Sequence, residues 1–318
     1  MFRQTDVIDV ARRFGLKLRA IHDDLTVSGS PERTTFRTVI EDDQGRLYVV
    51  QAFTKSRVQR KRAIAQTIAH LHDSGLRGSL PFHPTVSGDL VLPNRDHYWQ
   101  VRPYLEGVSL PRPRWVQDSW RGDALAELLL EVRRHGAVLP ERLKGEAFFV
   151  RRYVARISAD MAEHHAHLLP AVEPVLDHLA RYLWPVLDDL PIAFCHGDVH
   201  PLNVIWGTQR ILALIDWEFC GLKPELYDLA NLIGCVGVED PDALSGPLVS
   251  SLVGRLYQNT TYARQSWEHL PDLVLAIRFA WLAEWLRKDD REMIELESDY
   301  MRLLLASQTE LARRWRIG

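Results

Sequence analysis

Residues 194–219, Phe-Cys-His-Gly-Asp-Val-His-Pro-Leu-Asn-Val-Ile-Trp-Gly-Thr-Gln-Arg-Ile-Leu-Ala-Leu-Ile-Asp-Trp-Glu-Phe, set two polar clusters around one short apolar repeat. His196-Gly-Asp198-Val-His200-Pro-Leu-Asn203 precedes the repeat, and Asp216-Trp-Glu218 follows it. Asn203-Val-Ile-Trp206 predicts a strand, Gly207-Thr208-Gln209 a turn, and Ile211–Ile215 the returning strand. A hairpin brings its outer ends together, so Asn203 and Asp216 are expected side by side at its mouth. Asp198, five residues ahead of Asn203, falls on the loop above them.

This arrangement suits transfer of a nucleotide's terminal phosphoryl group. That reaction needs magnesium bridging the phosphate oxygens and a carboxylate to orient the attacking hydroxyl. Asn203 and Asp216 are the expected metal ligands and Asp198 the expected base. His-x-Asp-x-x-x-x-Asn, an apolar strand and Ile-Asp-Trp-Glu together resemble the Brenner motif and metal-binding Asp of the aminoglycoside phosphotransferase and choline kinase family. Downstream, Gly221-x-x-Pro224-x-x-x-Asp228-Leu-Ala is similar to the family's Gly-Asp-Pro…Asp-Leu-Ala, with Lys223 in place of the middle Asp. The resemblance implies an α+β, bilobal protein-kinase-like fold, with a small antiparallel β lobe and a large, mainly helical lobe. It further implies Mg2+ as cofactor and ATP or GTP as phosphoryl donor.

Other residues in the stretch have plainer readings. His196 reads as a structural histidine bracing the loop. His200 either orients substrate or packs the loop, and Glu218 is either a further ligand or a solvated turn carboxylate. Asp228 reads as the cap of a helix beginning at Leu229.

The whole chain sets bounds. Its 318 residues suffice for two lobes with substantial cores. Hydrophobic content of 46% and charged content of 25% are ordinary for a soluble globular protein. A net charge of -3 offers no basic field for nucleic acid, so none is expected as a partner. Cys195, Cys220 and Cys235 lack metal or disulfide spacing and read as small buried thiols. No signal core and no run of about 18 apolar residues occurs, so no membrane partner is expected and the cytoplasm is the simplest home. Oligomeric state is not legible.

Taken in order, Thr5–Phe14 predicts a short helix stopped by Gly15. Leu25–Val27, Thr35–Ile40 and Leu47–Phe53 predict three strands of a small lobe. Residues 28–34 link the first two strands, and Gly29 is the residue there with the backbone freedom to close over nucleotide phosphates; a plain hairpin loop fits equally well. His97–Arg102 predicts another strand. Pro103-Tyr104-Leu105-Glu-Gly107 resembles the family's hinge, where backbone groups meet the base edge and Gly107 lets the chain turn; an interlobe linker describes it too. The nucleotide-binding lobe is thus expected over residues 1–105 and the catalytic and substrate-binding lobe over 106–318, with the hinge at about 103–107.

One departure stands out. The third strand of such lobes carries a Lys for the phosphates, paired with a Glu on the next helix. Here Gln51 stands at the Lys position, and the helix of roughly Ser56–Ser74 holds Arg57, Arg60, Lys61 and Arg62 but no Glu. The resemblance extends to an N-acetylhexosamine kinase branch that tolerates Gln there. Lys61 is the expected replacement cation, with Lys55 next; a solvated basic face and a nucleic-acid patch compete.

From Ser119 the pattern is mainly helical, over residues 124–134, 147–166, 171–187, 276–297 and 300–316. Trp281 and Trp285 share a stripe that either lines a substrate pocket or packs the core. His164 and His167 share a helix face, with a solvated surface favoured over a metal site. The expected activity is phosphorylation of a hydroxyl on a small metabolite: an amino sugar, another sugar, homoserine or an amino alcohol. The alternative is a pseudokinase-like nucleotide-binding module without efficient transfer. A metallophosphoesterase and a protein kinase fit less well, because the further two-metal ligands and a long activation segment are not recognisable.

Overall fold

The computed structural model describes residues 4–27, 33–259 and 261–315. Its strands are β1 (Leu18–His22), β2 (Phe36–Asp42), β3 (Leu47–Phe53), β4 (Leu92–Asn94), β5 (His97–Pro103), β6 (Ile192–Cys195), β7 (Val204–Gly207), β8 (Arg210–Leu214) and β9 (Gly221–Pro224). Helices α1 (Gln4–Arg13), α2 (Val58–Asp73), α3 (Ser119–Ala137), α4 (Glu141–Lys144), α5 (Val150–His164) and α6 (Leu169–Tyr182) precede the motif region. After it come α7 (Tyr227–Glu239), α8 (Pro247–Tyr257), α9 (Arg264–Glu268), α10 (Leu270–Lys288), α11 (Arg291–Ala306) and α12 (Gln308–Arg314).

The chain divides into two compact units. The first comprises Met1–Leu110, Arg134–Gly145 and Leu202–Cys220; the second comprises Pro111–Arg133, Glu146–Pro201 and Gly221–Gly318.

The first unit holds a five-stranded antiparallel sheet in the order β1-β2-β3-β5-β4, and separately the β7–β8 ribbon. Side chains alternate across a strand, so each strand feeds two surfaces. Ile40, Tyr48, Val50, Ala52, Trp99 and Val101 pack with Val7, Val10 and Ala11 of α1 and with Phe14 just after it. The opposite face carries Arg37, Gln51, Gln100 and Arg102, because Arg37 pairs with Gln51, Gln51 with Gln100, and Val49 with Arg102. The first strand corrects the expectation at Leu25–Val27. That β-prone triplet lies outside the strands, and Leu18–His22 takes the place beside β2, with a bulge between Leu18 and Ala20. Pairing partners outweigh local propensity.

In the second unit β6 and β9 form a two-stranded antiparallel sheet, and the helices build the core. Arg278 on α10 makes two 2.6 Å hydrogen bonds to Glu297 on α11, both side chains being almost wholly buried. The single expected helix over 276–297 is two. Asp289 adopts a left-handed conformation (φ 53°) that ends α10, and Asp290 caps α11 by accepting from the Met293 N–H at 3.2 Å. Among the described residues no helix is long and apolar enough to cross a membrane. All three cysteines are free, and Cys195 and Cys220 are buried.

Candidate active site

In the first unit, β7 and β8 pair from Val204 with Leu214 to Gly207 with Arg210, and Gln209 takes the left-handed turn position (φ 55°). Beyond the last pair, Ile215 donates its N–H to the Asn203 carbonyl at 2.9 Å. Asn203 therefore lies opposite the residue that leads into Asp216, as the hairpin spacing requires. The Trp217 indole N–H donates to the Leu214 carbonyl at 2.9 Å and folds the chain back across its own end. Asp216, between them, has φ 61° and ψ 58°. A non-glycine residue held left-handed is costly and is tolerated where the surroundings or the function demand it.

Helix α2 is tied to the turn after Asp216. Arg60 donates to the Glu218 carbonyl through Nε at 3.1 Å and to the Cys220 carbonyl at 2.9 Å. Lys61 Nζ lies 2.8 Å from Glu218 Oε2, and Arg57 lies 3.8 Å from Glu218 Oε1. Glu218 is thus mostly buried and paired, not a solvated turn carboxylate. Gln51 Nε2 donates to Gln100 Oε1 at 3.3 Å, and Gln100 Nε2 donates to the Lys61 carbonyl at 3.3 Å. An amide relay from β3 through β5 to α2 stands where an ion pair was expected to be lost.

Gln51, Lys61, Asp216 and Glu218 line one cavity together with Arg33, Arg37 and Arg102. Burial lowers the Arg37 pKa, against the attraction of Asp216. Burial also brings Arg102 down to about 10, with Arg37 pushing the same way and Asp216 opposing. Arg33 Nη1 is 3.8 Å from Asp216 Oδ1. Spacing alone did not flag these arginines or Gln100. The signal for Arg37, Gln100 and Arg102 was polar residues on alternate positions of otherwise apolar strands; Arg33 lies before β2 and had none.

Pro103 closes β5 opposite Tyr48, and Tyr104 donates its N–H to the Leu47 carbonyl at 2.9 Å. Leu105 packs on Ile205, Ala213 and Ile215 of the ribbon. Gly107 is required by closeness: a Cβ there would lie 2.8 Å from Ile205 Cγ2 and 3.0 Å from the Trp206 carbonyl. Gly29 lies outside the described residues.

Asp198 belongs to the second unit. Its loop hangs from α7, whose Asp228 accepts the His196 and Gly197 N–H groups, each at 2.7 Å. Asn231, one turn on, donates to the Val199 carbonyl at 2.9 Å. Gly197 supplies the left-handed step (φ 83°), and the Asp198 N–H points back to His196 Nδ1 at 3.3 Å. Asp228 therefore holds the loop from inside the helix, whose flanking residue is Leu226, rather than capping a helix at Leu229. Burial drives its pKa up to about 6 against those hydrogen bonds and Lys223. His200 lies 3.8 Å from Asp198 and edge-on to Trp281, whose indole N–H donates to Asn231 Oδ1 at 3.2 Å. Trp285 follows with its ring centroid 6.1 Å from that of Trp281. Lys223 is buried over the rings of Phe148 and Tyr227. His164 is exposed at 57%, in keeping with a solvated helix face.

The model of the phosphotransferase enzyme family matches residues 27–252. The chain belongs to this family. Homoserine kinase of Rhodopseudomonas palustris (strain BisA53) is 32% identical over 127 residues, covering 40% of this chain and 37% of that protein. Homoserine kinase of Bradyrhizobium sp. (strain ORS 278) is 27% identical over 217 residues, covering 66% of each. The chain thus spans between about a third and two thirds of these relatives. Amicoumacin kinase, solved with AMP-PNP and Ca2+, superposes with a TM-score of 0.68 at 13% identity, over 98% of this chain and 94% of that one. A choline/ethanolamine kinase family protein from Mesorhizobium loti gives 0.60 at 16%, over 99% and 100%. The fold is kinase-like.

Proposed function

We propose that this phosphotransferase-family chain moves the terminal phosphoryl group of a nucleoside triphosphate, ATP or GTP, to a hydroxyl of a small metabolite. The observation that carries the reading is the left-handed Asp216 beside Asn203 at the mouth of the β7–β8 ribbon. Two oxygen donors, one a carboxylate held against its backbone preference, are the hard ligands that magnesium selects. Magnesium, when bound there, neutralises charge across the donor's phosphates. Asp198 orients the acceptor hydroxyl and accepts its proton, on a backbone loop that Asp228 and Asn231 keep rigid. Lys61 is a cation of the donor cavity, and Pro103, Tyr104 and Leu105 form the segment that meets the base.

The acceptor class is a hydroxylated small molecule, with amino-acid alcohols favoured by the homoserine kinases among the relatives and amino sugars and amino alcohols next. A coupled assay over such a panel, with ATP and GTP as donors, tests the reading. Asp198→Asn is expected to lower turnover by about 10²–10⁴, and Asp216→Asn by more. Near-normal turnover in both variants would overturn the mechanism. The second reading, a nucleotide binder without transfer, is favoured by Gln51 at the lysine position; nucleotide binding without donor consumption on any acceptor would establish it.

A further inference from the structure

We infer that Arg37 and Arg102, on the strands flanking Gln51, grip the phosphate chain of the nucleotide donor in place of the lysine that β3 lacks. The inference rests on the donor reading above and adds which side chains hold the phosphates.

The sheet sorts its side chains by face. The face away from α1 carries Arg37 directly across from Gln51, and Arg102 one alternate position along from Gln100. Gln51 is not a substitute cation, and its amide nitrogen is given to Gln100. Among the described residues, the same cavity gathers four cations, Arg33, Arg37, Lys61 and Arg102, against two carboxylates, Asp216 and Glu218. Glu218 is already bonded to Lys61 at 2.8 Å, so among the described residues that line the cavity Asp216 is the carboxylate left to face the arginines. A divalent cation on Asp216 would make that excess of positive charge larger. The ligand that balances it is a polyanion with several oxygens in a row. Guanidinium groups match such oxygens two at a time, which a lysine cannot do. A di- or triphosphate is therefore the chemical class the cavity takes.

Calorimetry on the full chain tests this with Mg-ADP, Mg-GDP, adenosine, guanosine and inorganic tripolyphosphate as probes. Arg37→Met and Arg102→Met are each expected to weaken binding of the nucleoside diphosphate at least tenfold while changing affinity for the free nucleoside less than twofold. Tripolyphosphate is expected to bind the wild-type chain and raise its thermal midpoint. Arg37→Lys and Arg102→Lys, which keep the charge and the fold, are expected to fall between wild type and the Met variants. Diphosphate affinity unchanged in the variants, with only a lowered thermal midpoint, would make the arginines counter-charges of Asp216 and overturn the inference alone. A wild-type chain that binds neither diphosphate would overturn the donor reading and the inference together.

Discussion

Lys61 on helix α2 and Glu218 on the turn after Asp216 lie 2.8 Å apart, with side chains 12% and 8% exposed. The pair ties the helix behind the sheet to the segment holding a candidate metal ligand. Its polarity is the reverse of the strand-lysine and helix-glutamate pair that kinases use. Lys61→Met is therefore expected to act twice. It should raise the donor KM or cut turnover at least tenfold, and lower unfolding free energy by about 1–3 kcal/mol because buried Glu218 loses its 2.8 Å partner and keeps only Arg57 at 3.8 Å among the described cations. The double variant Lys61→Met/Glu218→Gln should recover part of the stability in urea unfolding but not the turnover. Unchanged kinetics would remove Lys61 from the site.

Asp216 combines a proposed side-chain role with a backbone cost. Asp216→Ala and Asp216→Gly both remove the carboxylate, so both should be inactive. They differ only in tolerance of the left-handed conformation. The Gly variant is expected to be more stable than the Ala variant by about 1 kcal/mol in denaturant melts. Equal stability would show that the turn relaxes on losing its aspartate.

Asp228 links the Asp198 loop to pH. Its carboxyl has an ordinary value of 3.8 and is pushed up to about 6 by burial. A folded pKa above the unfolded one gives a contribution that is full below about pH 4 and is lost as pH rises through about 6. The stability of the wild type relative to Asp228→Asn should therefore fall across that window, by no more than about 3 kcal/mol. Thermal midpoints measured at several pH values between 3.5 and 7 check the sign. A difference that grows with rising pH would mean that the two N–H bonds outweigh desolvation.

The Arg278–Glu297 pair is a buried ion pair of the second unit. Arg278→Met alone is expected to cost about 3–5 kcal/mol, because Glu297 would remain ionised in an apolar setting. Replacing both with apolar residues should restore most of it. Chemical denaturation of the three variants decides; a double variant no better than the single would assign the loss to packing.

Much of the arrangement could be read before any coordinates. The period-2 pattern around Gly207-Thr208-Gln209 locates the ribbon, because strand alternation and turn chemistry are local properties. The bracing of Asp198 by Asp228 and Asn231 was not legible, since it joins residues more than thirty apart through backbone groups that every residue possesses. Leu25–Val27 misled because its β-branched and apolar residues satisfy propensity while the neighbouring strand pairs elsewhere. The Gln51–Gln100–Lys61 relay was half visible: the missing charges showed that something had changed, but the partner strand was needed to show what replaced them.

Gly107 has one more consequence. Its lack of a side chain lets residues 104–108 lie against β7, where Val108 donates to the Trp206 carbonyl at 2.8 Å. The segment proposed to meet the base and the ribbon proposed to hold the metal are therefore stitched into one piece and work as a fixed gauge. A donor whose base and end phosphate are spaced to that gauge engages both ends at once.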